Sequence, residues 1–128
     1  MKQPLQKKVL VTGGAGFVGS HVADRLIEEG CSVAVVDDLS TGRLENLNPA
    51  AVFYRQDITD PALGEVFEEF KPAAVIHLAA QANVITSVAD PLADAQVNIL
   101  GTLRVLECCR RFAVPRVVYA SSAAVYGP

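Results

Sequence analysis

Apolar residues concentrate in five short runs along the chain, and most of these runs are followed by a turn signal and then by an amphipathic pattern. The runs are KVLVT, SVAVV, AVFYRQ, AAVIHL and RVVYAS, at residues 8–12, 32–36, 51–56, 73–78 and 116–121. They are apolar almost throughout instead of alternating with polar residues, which is typical of strands that helices cover on both faces. The pattern therefore predicts five strands of a parallel sheet, separated by helices.

Amphipathic patterns predict three helices between these strands. The first ends at Gly30, and its apolar stripe consists of Val18, Val22, Leu26 and Ile27. The second is predicted to begin at Asp60, whose side chain can cap it, with Pro61 in the first turn, and to end at Pro72. The residues of this helix expected to point to the core are Leu63, Val66, Phe67 and Phe70.

The third and longest helix opens with the same Asp-Pro pair, in which Asp90 caps the helix and Pro91 starts it. Its apolar stripe consists of Leu92, Ala95, Ile99, Leu103 and Leu106. Gly101 lies inside the helix, where a glycine is about 1 kcal/mol less favourable than an alanine. We therefore expect Gly101 to permit close packing on a neighbouring element.

The alternation of strands and helices predicts an α/β fold with a doubly wound parallel sheet. Crossovers between parallel strands are right-handed, and the most plausible strand order is 3-2-1-4-5. No linker, repeat or low-complexity segment interrupts the sequence, so we predict one domain over residues 1–128. A ligand crevice is expected where the strand order reverses, between strands one and four.

Four glycines separate the first strand from the first helix: Gly13, Gly14, Gly16 and Gly19. Their spacing matches GxGxxG, in which the missing side chains let a pyrophosphate approach the N–H groups of a helix N-terminus. Asp37 closes the second strand at the offset at which an acidic residue binds the ribose hydroxyls of a dinucleotide. Asp37 would repel a 2′-phosphate, with Arg43 the one nearby cation, so the pattern predicts a Rossmann-type domain that binds NAD in preference to NADP.

Composition excludes several other classes of partner. The net charge is -3, and no basic run exceeds Lys7-Lys8, so we expect neither a nucleic acid nor an anionic membrane as partner. No apolar stretch is long enough for a spanning helix and no signal-peptide pattern is present, which indicates a cytoplasmic protein. The three cysteines match neither a disulfide framework nor a metal site, so we predict that they are small buried hydrophobic residues and that no metal is bound.

Six consecutive motifs carry a resemblance to a known family: VTGGAGFVGSHVADRL, VVDDLSTGRLENL, RQDITD, VIHLAAQANV, VNILGTLRVLECC and VVYASSAAVYG. In order and spacing they resemble the extended short-chain dehydrogenase/reductase family, and they are most similar to UDP-glucose 4-epimerases and related nucleotide-sugar epimerases. The resemblance implies NAD as cofactor. It also implies a parent reaction that interconverts UDP-glucose and UDP-galactose through a 4-keto intermediate, with a UDP-sugar as a further partner of the full-length parent.

The resemblance also implies a role for individual positions. Residues that would line the pyrophosphate are Gly13, Gly16, Phe17 and Val18. Residues that would surround the adenosine are Asp37, Asp38, Ser40, Thr41 and Gly42 at the ribose, with Asp57 and Ile58 at the adenine. Residues that would run beneath the cofactor are Leu78, Ala79, Ala80 and Gln81. Asn98 would stabilise the loop or contact NAD, Ser121 would lie near the nicotinamide, and Ser122 would be the catalytic hydroxyl that hydrogen-bonds the oxidised sugar oxygen.

Structural roles compete with three of these interpretations. Asp57 is favoured in turns and can simply form one after the third strand. Asn98 is equally compatible with a buried structural hydrogen bond and with cofactor contact. His77 has no carboxylate or cysteine at a catalytic spacing, so we predict a hydrogen-bonded structural residue instead of an acid or base.

The chain departs from the family at the catalytic base. Related enzymes carry a Tyr-x-x-x-Lys pair downstream of the serine, whereas Tyr54, Tyr119 and Tyr126 have no lysine four residues later. We therefore expect the chain to be a truncated cofactor half without the catalytic helix and substrate region, and without turnover by itself. The alternatives are a noncatalytic NAD-binding or self-associating fragment, and a fragment of a nucleotide-sugar 4,6-dehydratase or decarboxylase.

The fifth predicted strand suggests a homo-oligomer. Residues 116–120 would form an apolar sheet edge with unpaired backbone groups, which favours edge-to-edge association. We therefore expect a dimer or larger assembly through this C-terminal edge.

Overall fold

The computed structural model describes residues 7–81 and 83–121 of the chain. The predictions made for Ser122 and Tyr126 lie outside these residues.

Five parallel strands form one sheet, and they are β1 (Lys8–Thr12), β2 (Ser32–Asp37), β3 (Val52–Arg55), β4 (Ala74–His77) and β5 (Arg116–Tyr119). Their order is β3-β2-β1-β4-β5. Thr12 lies opposite Val36 of β2 and His77 of β4, so the C-terminal ends of the three central strands meet at one edge of the sheet. The predicted doubly wound topology, with strand order 3-2-1-4-5, is confirmed.

Helices cover both faces of the sheet, and they are α1 (Phe17–Glu28), α2 (Leu63–Phe70), α3 (Val84–Ala89), α4 (Pro91–Ala95) and α5 (Gly101–Arg111). A π turn at Gln96–Leu100 joins α4 to α5, and a short 3-10 helix lies at Leu44–Asn46. The sequence predicted α4, the π turn and α5 as a single helix, and it did not predict α3. Asp90 caps α4 by accepting the Ala93 N–H, and Pro91 is the first residue of α4, as predicted.

The core has two parts, one on each face of the sheet. One part packs alternate strand residues such as Leu10 and Val75 against Phe67 of α2 and Val105 of α5. The other packs Val11, Val33 and Val35 against Ala23 of α1. The central strands β1, β2 and β4 are buried on both faces, which explains why their runs are apolar without alternation, whereas the residues of the edge strands β3 and β5 are half-buried or exposed.

One boundary prediction and one burial prediction for the first two helices are wrong. The second helix begins at Leu63 instead of in the Asp60-Pro61 turn, because the Asp60 carboxylate accepts the Ala62 N–H at 2.8 Å in a turn that precedes the helix. Val18 was predicted on the apolar stripe of α1 but is 61% exposed. The side of α1 that is buried carries Gly19, Ser20 and Ala23.

The apolar stripe predicted along the third helix is mostly exposed: Leu92, Ile99, Leu103 and Leu106 are 79%, 59%, 55% and 44% exposed. The side that faces the core carries smaller residues, Gly101, Val105, Cys108 and Cys109. A Cβ on Gly101 would lie 2.6 Å from Ile58 Cδ1, so the expected close packing at this glycine is confirmed.

The three cysteines are free thiols that differ in burial. Cys108 and Cys109 are buried and Cys31 is half-buried, which agrees with their prediction as small hydrophobic residues. Burial, with a contribution from Cys108, raises the pKa of Cys109 to about 11, so its thiol is protonated near neutral pH. Within residues 7–81 and 83–121, no group of three or more potential ligand side chains could hold a metal ion. No helix in the same ranges is long and apolar enough to cross a membrane.

Candidate functional site

The glycine turn between β1 and α1 is held by contacts between main chains. Gly13 has φ +71, and its N–H donates to Val36 O of β2 at 2.8 Å. A Cβ on Gly19 would lie 2.1 Å from Gly13 O, so the first turn of α1 lies directly on this glycine. No other residue fits at position 19 without a movement of the backbone.

Within residues 7–81 and 83–121, no side chain caps the N-terminus of α1. Gly16 is its N-cap, no side chain of these ranges bonds the first N–H groups, and the first turn carries no acidic residue. The two helices α3 and α4, in contrast, are capped by the side chains of Asn83 and Asp90. Uncapped N–H groups at the positive end of a helix dipole form a site for an anion.

Asp37 connects the end of β2 to the glycine turn. It is 8% exposed; its Oδ2 accepts the Ala15 N–H at 2.9 Å and its Oδ1 accepts the Leu39 N–H at 2.8 Å. A Cβ on Gly42 would lie 2.9 Å from the same Oδ2, so Gly42 packs behind the carboxylate. Each carboxylate oxygen can accept a second hydrogen bond, which leaves Asp37 able to bind two ligand hydroxyls.

A chain of side-chain hydrogen bonds fixes the segment after β4. Thr12 Oγ1 lies 2.7 Å from His77 Nδ1, and His77 Nε2 lies 2.9 Å from Thr102 Oγ1. Thr12 Oγ1 also accepts the N–H groups of Leu78 and Ala79, at 3.0 and 3.1 Å. Burial lowers the pKa of His77, which favours its neutral form. The prediction that His77 is a hydrogen-bonded structural residue agrees with these contacts.

Asn98 fixes the next part of the same segment. Its Oδ1 accepts the Gln81 N–H and its Nδ2 donates to Gln81 O, both at 2.8 Å. The same Nδ2 donates to Asp94 Oδ1 at 3.0 Å, and Gln81 Nε2 donates to Asp94 Oδ1 at 2.7 Å. Of the two roles predicted for Asn98, the structure therefore shows the loop-stabilising one.

The glycine turn, the end of β2 at Asp37 and the segment after β4 surround a cavity of about 340 Å³ at the C-terminal ends of the central strands. Twelve predicted cofactor-binding residues line it: Gly13, Gly16, Asp37, Asp38, Ser40, Thr41, Asp57, Ile58, Leu78, Ala79, Ala80 and Gln81. Asp57 also forms the turn that the alternative interpretation predicted, since its Oδ1 accepts the Thr59 N–H at 2.8 Å. The cavity lies at the predicted switch point of the sheet.

Five other predicted cofactor-binding residues do not line the cavity. Phe17 and Val18 are exposed at the start of α1, beside Gly16. Gly42 packs behind Asp37, and Asn98 lies behind Gln81. Ser121 follows β5 and is exposed, and Ser122 lies outside the part of the chain that the structure describes.

Four residues line the cavity that the sequence analysis did not assign to it: Val36, Gln56, Asn83 and Val97. Val36 and Gln56 lie at or just after the ends of β2 and β3, so the rule that ligands bind at the C-terminal ends of parallel strands could have identified them. Val97 belongs to the π turn, for which the sequence gives no local signal.

A doubly wound parallel sheet with a glycine turn after β1 and an acidic residue at the end of β2 defines a Rossmann-type domain. The chain belongs to the NAD dependent epimerase/dehydratase family, whose sequence model matches residues 9–128.

Curated relatives and solved structures agree with this assignment. The UDP-glucose 4-epimerase of Mycolicibacterium smegmatis is 48% identical over 126 residues, which are 94% of this chain and 40% of that protein. The structure of UDP-glucose 4-epimerase from Thermotoga maritima with UDP-glucose has a TM-score of 0.89 at 48% identity, covering 91% of this chain and 38% of that one. The Thermus thermophilus UDP-glucose 4-epimerase in complex with NAD has a TM-score of 0.88 at 48% identity, covering 90% and 37%.

The chain thus spans about 40% of the length of the curated relatives that it matches. The glycine turn and Asp37 lie within residues 9–128, the part of the chain that the family model matches.

Proposed function

We propose that this chain binds NAD in the cavity at the C-terminal ends of β1, β2 and β4. The observation that carries the proposal is the uncapped N-terminus of α1 at Gly16, opposite the buried carboxylate of Asp37. An anion-binding helix end and an acceptor of hydroxyl protons are the two groups that a dinucleotide requires. The NAD complex of the Thermus thermophilus relative supports the same cofactor.

The residues that line the cavity are suited to bind NAD. A Cβ on Gly13 would lie 2.8 Å from Ala79 N, so main-chain atoms of the two segments are in contact at the base of the cavity, with no side chain between them. Gly16 and the first N–H groups of α1 would hold the pyrophosphate, and Asp37 the adenosine ribose. NAD would supply a hydride acceptor at its nicotinamide end, and Ser121 is proposed to lie near that end.

For the whole protein we propose a nucleotide-sugar epimerase, with oxidation and re-reduction at C4 of a UDP-hexose as the reaction. The support is the identity with UDP-glucose 4-epimerases over the matched part. Ser122 is proposed to hydrogen-bond the sugar oxygen. Because the 128 residues contain no Tyr-x-x-x-Lys pair, we propose that they bind the cofactor without turnover. A 4,6-dehydratase or decarboxylase of the same family is the alternative reaction.

Calorimetric titration of the 128-residue chain with NAD⁺ and NADP⁺ tests the cofactor proposal. We expect saturable NAD⁺ binding, and NADP⁺ binding at least about tenfold weaker, because the Asp37 carboxylate repels a 2′-phosphate. Asp37→Asn should narrow this difference. Glu68→Gln is the matched control, because it removes one negative charge at an exposed position outside the cavity lining.

Two results would contradict this proposal. Equal affinities for NAD⁺ and NADP⁺ would show that Asp37 does not select the cofactor. A folded chain that gives no binding heat with either nucleotide would refute the proposal that this chain binds NAD.

Self-association through β5 is a separate proposal about partners. Among the described strands β5 is a sheet edge, and its Val118 and Tyr119 are 52% and 70% exposed. Light scattering over a range of concentrations should show a dimer or larger species. Val118→Lys should favour the monomer, because charge on an edge strand opposes pairing. Val52→Lys on the opposite edge, β3, is the control, and a concentration-independent monomer would refute the proposal.

A cytoplasmic location stays a prediction from the sequence, and cell fractionation of the source organism would test it.

A further inference from the structure

The hydrogen-bond chain through His77 has one consistent arrangement of protons. Thr102 Oγ1 donates to Asn98 O at 2.7 Å, so its oxygen is the acceptor for His77 Nε2–H. His77 Nδ1 therefore carries a lone pair and accepts the proton of Thr12 Oγ1. The two lone pairs of that oxygen accept the N–H groups of Leu78 and Ala79. Every donor in the chain has an acceptor.

We propose that His77, as the neutral imidazole protonated at Nε2, is a positioning residue for the cofactor cavity: through the Thr12 hydroxyl it holds the Leu78–Ala79 backbone against Gly13. The part of this inference that concerns ligand affinity rests on the proposed NAD function. The arrangement of protons is independent of that proposed function.

The backbone at Ala79 depends on the Thr12 hydroxyl more than the backbone at Leu78 does. The Leu78 N–H lies near two acceptors of Thr12, the main-chain oxygen at 3.1 Å and Oγ1 at 3.0 Å. For the Ala79 N–H, the structure gives Thr12 Oγ1 as the acceptor among the described residues. Without the hydroxyl, the Ala79 N–H has no protein partner there.

Ala79 is also where a small displacement matters most. Its N and Cα would lie 2.8 and 3.0 Å from a Cβ on Gly13, so the two main chains are in direct contact. Gly13, Leu78 and Ala79 all line the cavity. A shift of the segment after β4 therefore changes the shape of the floor on which the cofactor is proposed to lie.

The neutral imidazole is required because an imidazolium would donate from both nitrogens. Nδ1–H would then compete for the Thr12 oxygen, whose lone pairs already accept two N–H groups. The Ala79 N–H would lose its acceptor, whereas the Leu78 N–H would keep the main-chain oxygen of Thr12. Burial of His77 favours the neutral form that the arrangement needs.

A matched pair of substitutions at Thr12 tests the inference on the 128-residue chain. Thr12→Val keeps the shape of the buried side chain and removes the hydroxyl, whereas Thr12→Ser keeps the hydroxyl. Three readouts apply: ring ¹⁵N shifts of His77, which report the tautomer; hydrogen exchange of the Ala79 amide; and the Kd for NAD⁺ by calorimetry. Unfolding temperature is measured in parallel.

The wild-type ring should show protonation at Nε2. Thr12→Val should accelerate exchange of the Ala79 amide and raise the Kd for NAD⁺, each by about tenfold, the equivalent of one lost hydrogen bond. Thr12→Ser should stay within about threefold of wild type in both readouts, since the bond is retained. Recovery by serine is a result that a role confined to packing would not produce.

Three results would overturn the inference: protonation at Nδ1 in the wild type, equal effects of Thr12→Val and Thr12→Ser, or an unchanged Ala79 amide in Thr12→Val despite a lower unfolding temperature. If Thr12→Val does not fold, Thr102→Val and Thr102→Ser replace the pair, because Thr102 bonds the other ring nitrogen and does not line the cavity. Absence of NAD⁺ binding by the wild type would refute the proposed function, while the ring and amide readouts would still decide the positioning role.

Discussion

The cavity has two walls that are built in different ways. The wall formed by residues 13–19 is shaped chiefly by close main-chain contacts, with Gly19 so close to Gly13 that a Cβ would lie 2.1 Å from its oxygen, and Asp37 and Asn46 bond it at Ala15. The wall formed by residues 78–81 is held by side chains, chiefly Thr12 and Asn98, which bond its N–H and C=O groups. The first wall therefore excludes side chains, and the second requires them.

This difference changes how each wall responds to substitution. A Cβ added at Gly13 or Gly19 collides with main-chain atoms, whereas one at Gly16 needs only a small adjustment. A side chain removed from the second wall leaves polar groups unpaired, and nearby water or a small shift can satisfy them in part. We expect steep losses in the first wall and graded losses in the second.

Gly19→Ala should have the largest effect on the free energy of unfolding. The new Cβ overlaps Gly13 O, and forcing extra atoms into such a contact costs about 3 kcal/mol. Gly16→Ala is the matched control, since its Cβ would lie 3.3 Å from the same oxygen and needs only a small adjustment. Urea unfolding and NAD⁺ calorimetry check both variants. Equal losses would show that close approach does not distinguish these glycines.

The first wall and the sheet were predictable because their signals are local. Strands buried on both faces are continuous apolar runs, and the glycines and Asp37 act within one strand-turn-helix unit. The second wall was not predictable in detail, because its contacts join residues far apart in the chain. Thr12 and Ala79, for example, are separated by 67 positions.

The apolar stripe predicted along the third helix, and Val18 in α1, were wrong for a related reason, whereas the residues of α2 predicted to point to the core are buried. Periodicity indicates which residues share one side of a helix, but it does not indicate which side meets the sheet. In α1 the buried side carries Gly19 and Ala23, and in α5 it carries Gly101 and Val105. Small residues let these helices approach closely, whereas larger apolar residues such as Leu103 stay exposed. The stripe was predicted from the large apolar side chains, and in α5 these lie on the side that does not meet the core.

Asn98→Ala should have the next largest effect, and it should act on the second wall. Loss of the amide leaves the Gln81 N–H and C=O without their partner, which costs about 2 kcal/mol of stability. We expect the Kd for NAD⁺ to rise about tenfold, because the displaced segment lines the cavity. Gln96→Ala, at an exposed position two residues earlier, is the control. An Asn98→Ala protein that binds NAD⁺ like wild type would show that this wall does not shape the site.

A change of pH should weaken the second wall by a smaller amount. Burial lowers the pKa of His77 below its usual 6.5, so at acidic pH the unfolded chain binds more protons than the folded one. The contribution is complete above about pH 6.5 and is lost as the pH falls towards the folded pKa, at no more than about 1.4 kcal/mol per pH unit. Urea unfolding of wild type and His77→Gln between these limits checks it. Parallel stability curves for the two proteins would contradict the prediction.

Gly30→Ala should have the smallest effect and separates the two reasons for which a glycine is required. Gly30 follows α1 with φ +89, and a Cβ there would meet nothing within 4 Å. Only the left-handed backbone resists a side chain, so we expect a loss of about 1 kcal/mol in stability. Gly30→Asn should lose less, because asparagine tolerates this conformation at helix ends. Neither variant should alter the Kd for NAD⁺, since Gly30 does not line the cavity. A loss as large as that of Gly19→Ala would contradict this ranking, because Gly19 has no positive φ and is required for close approach alone.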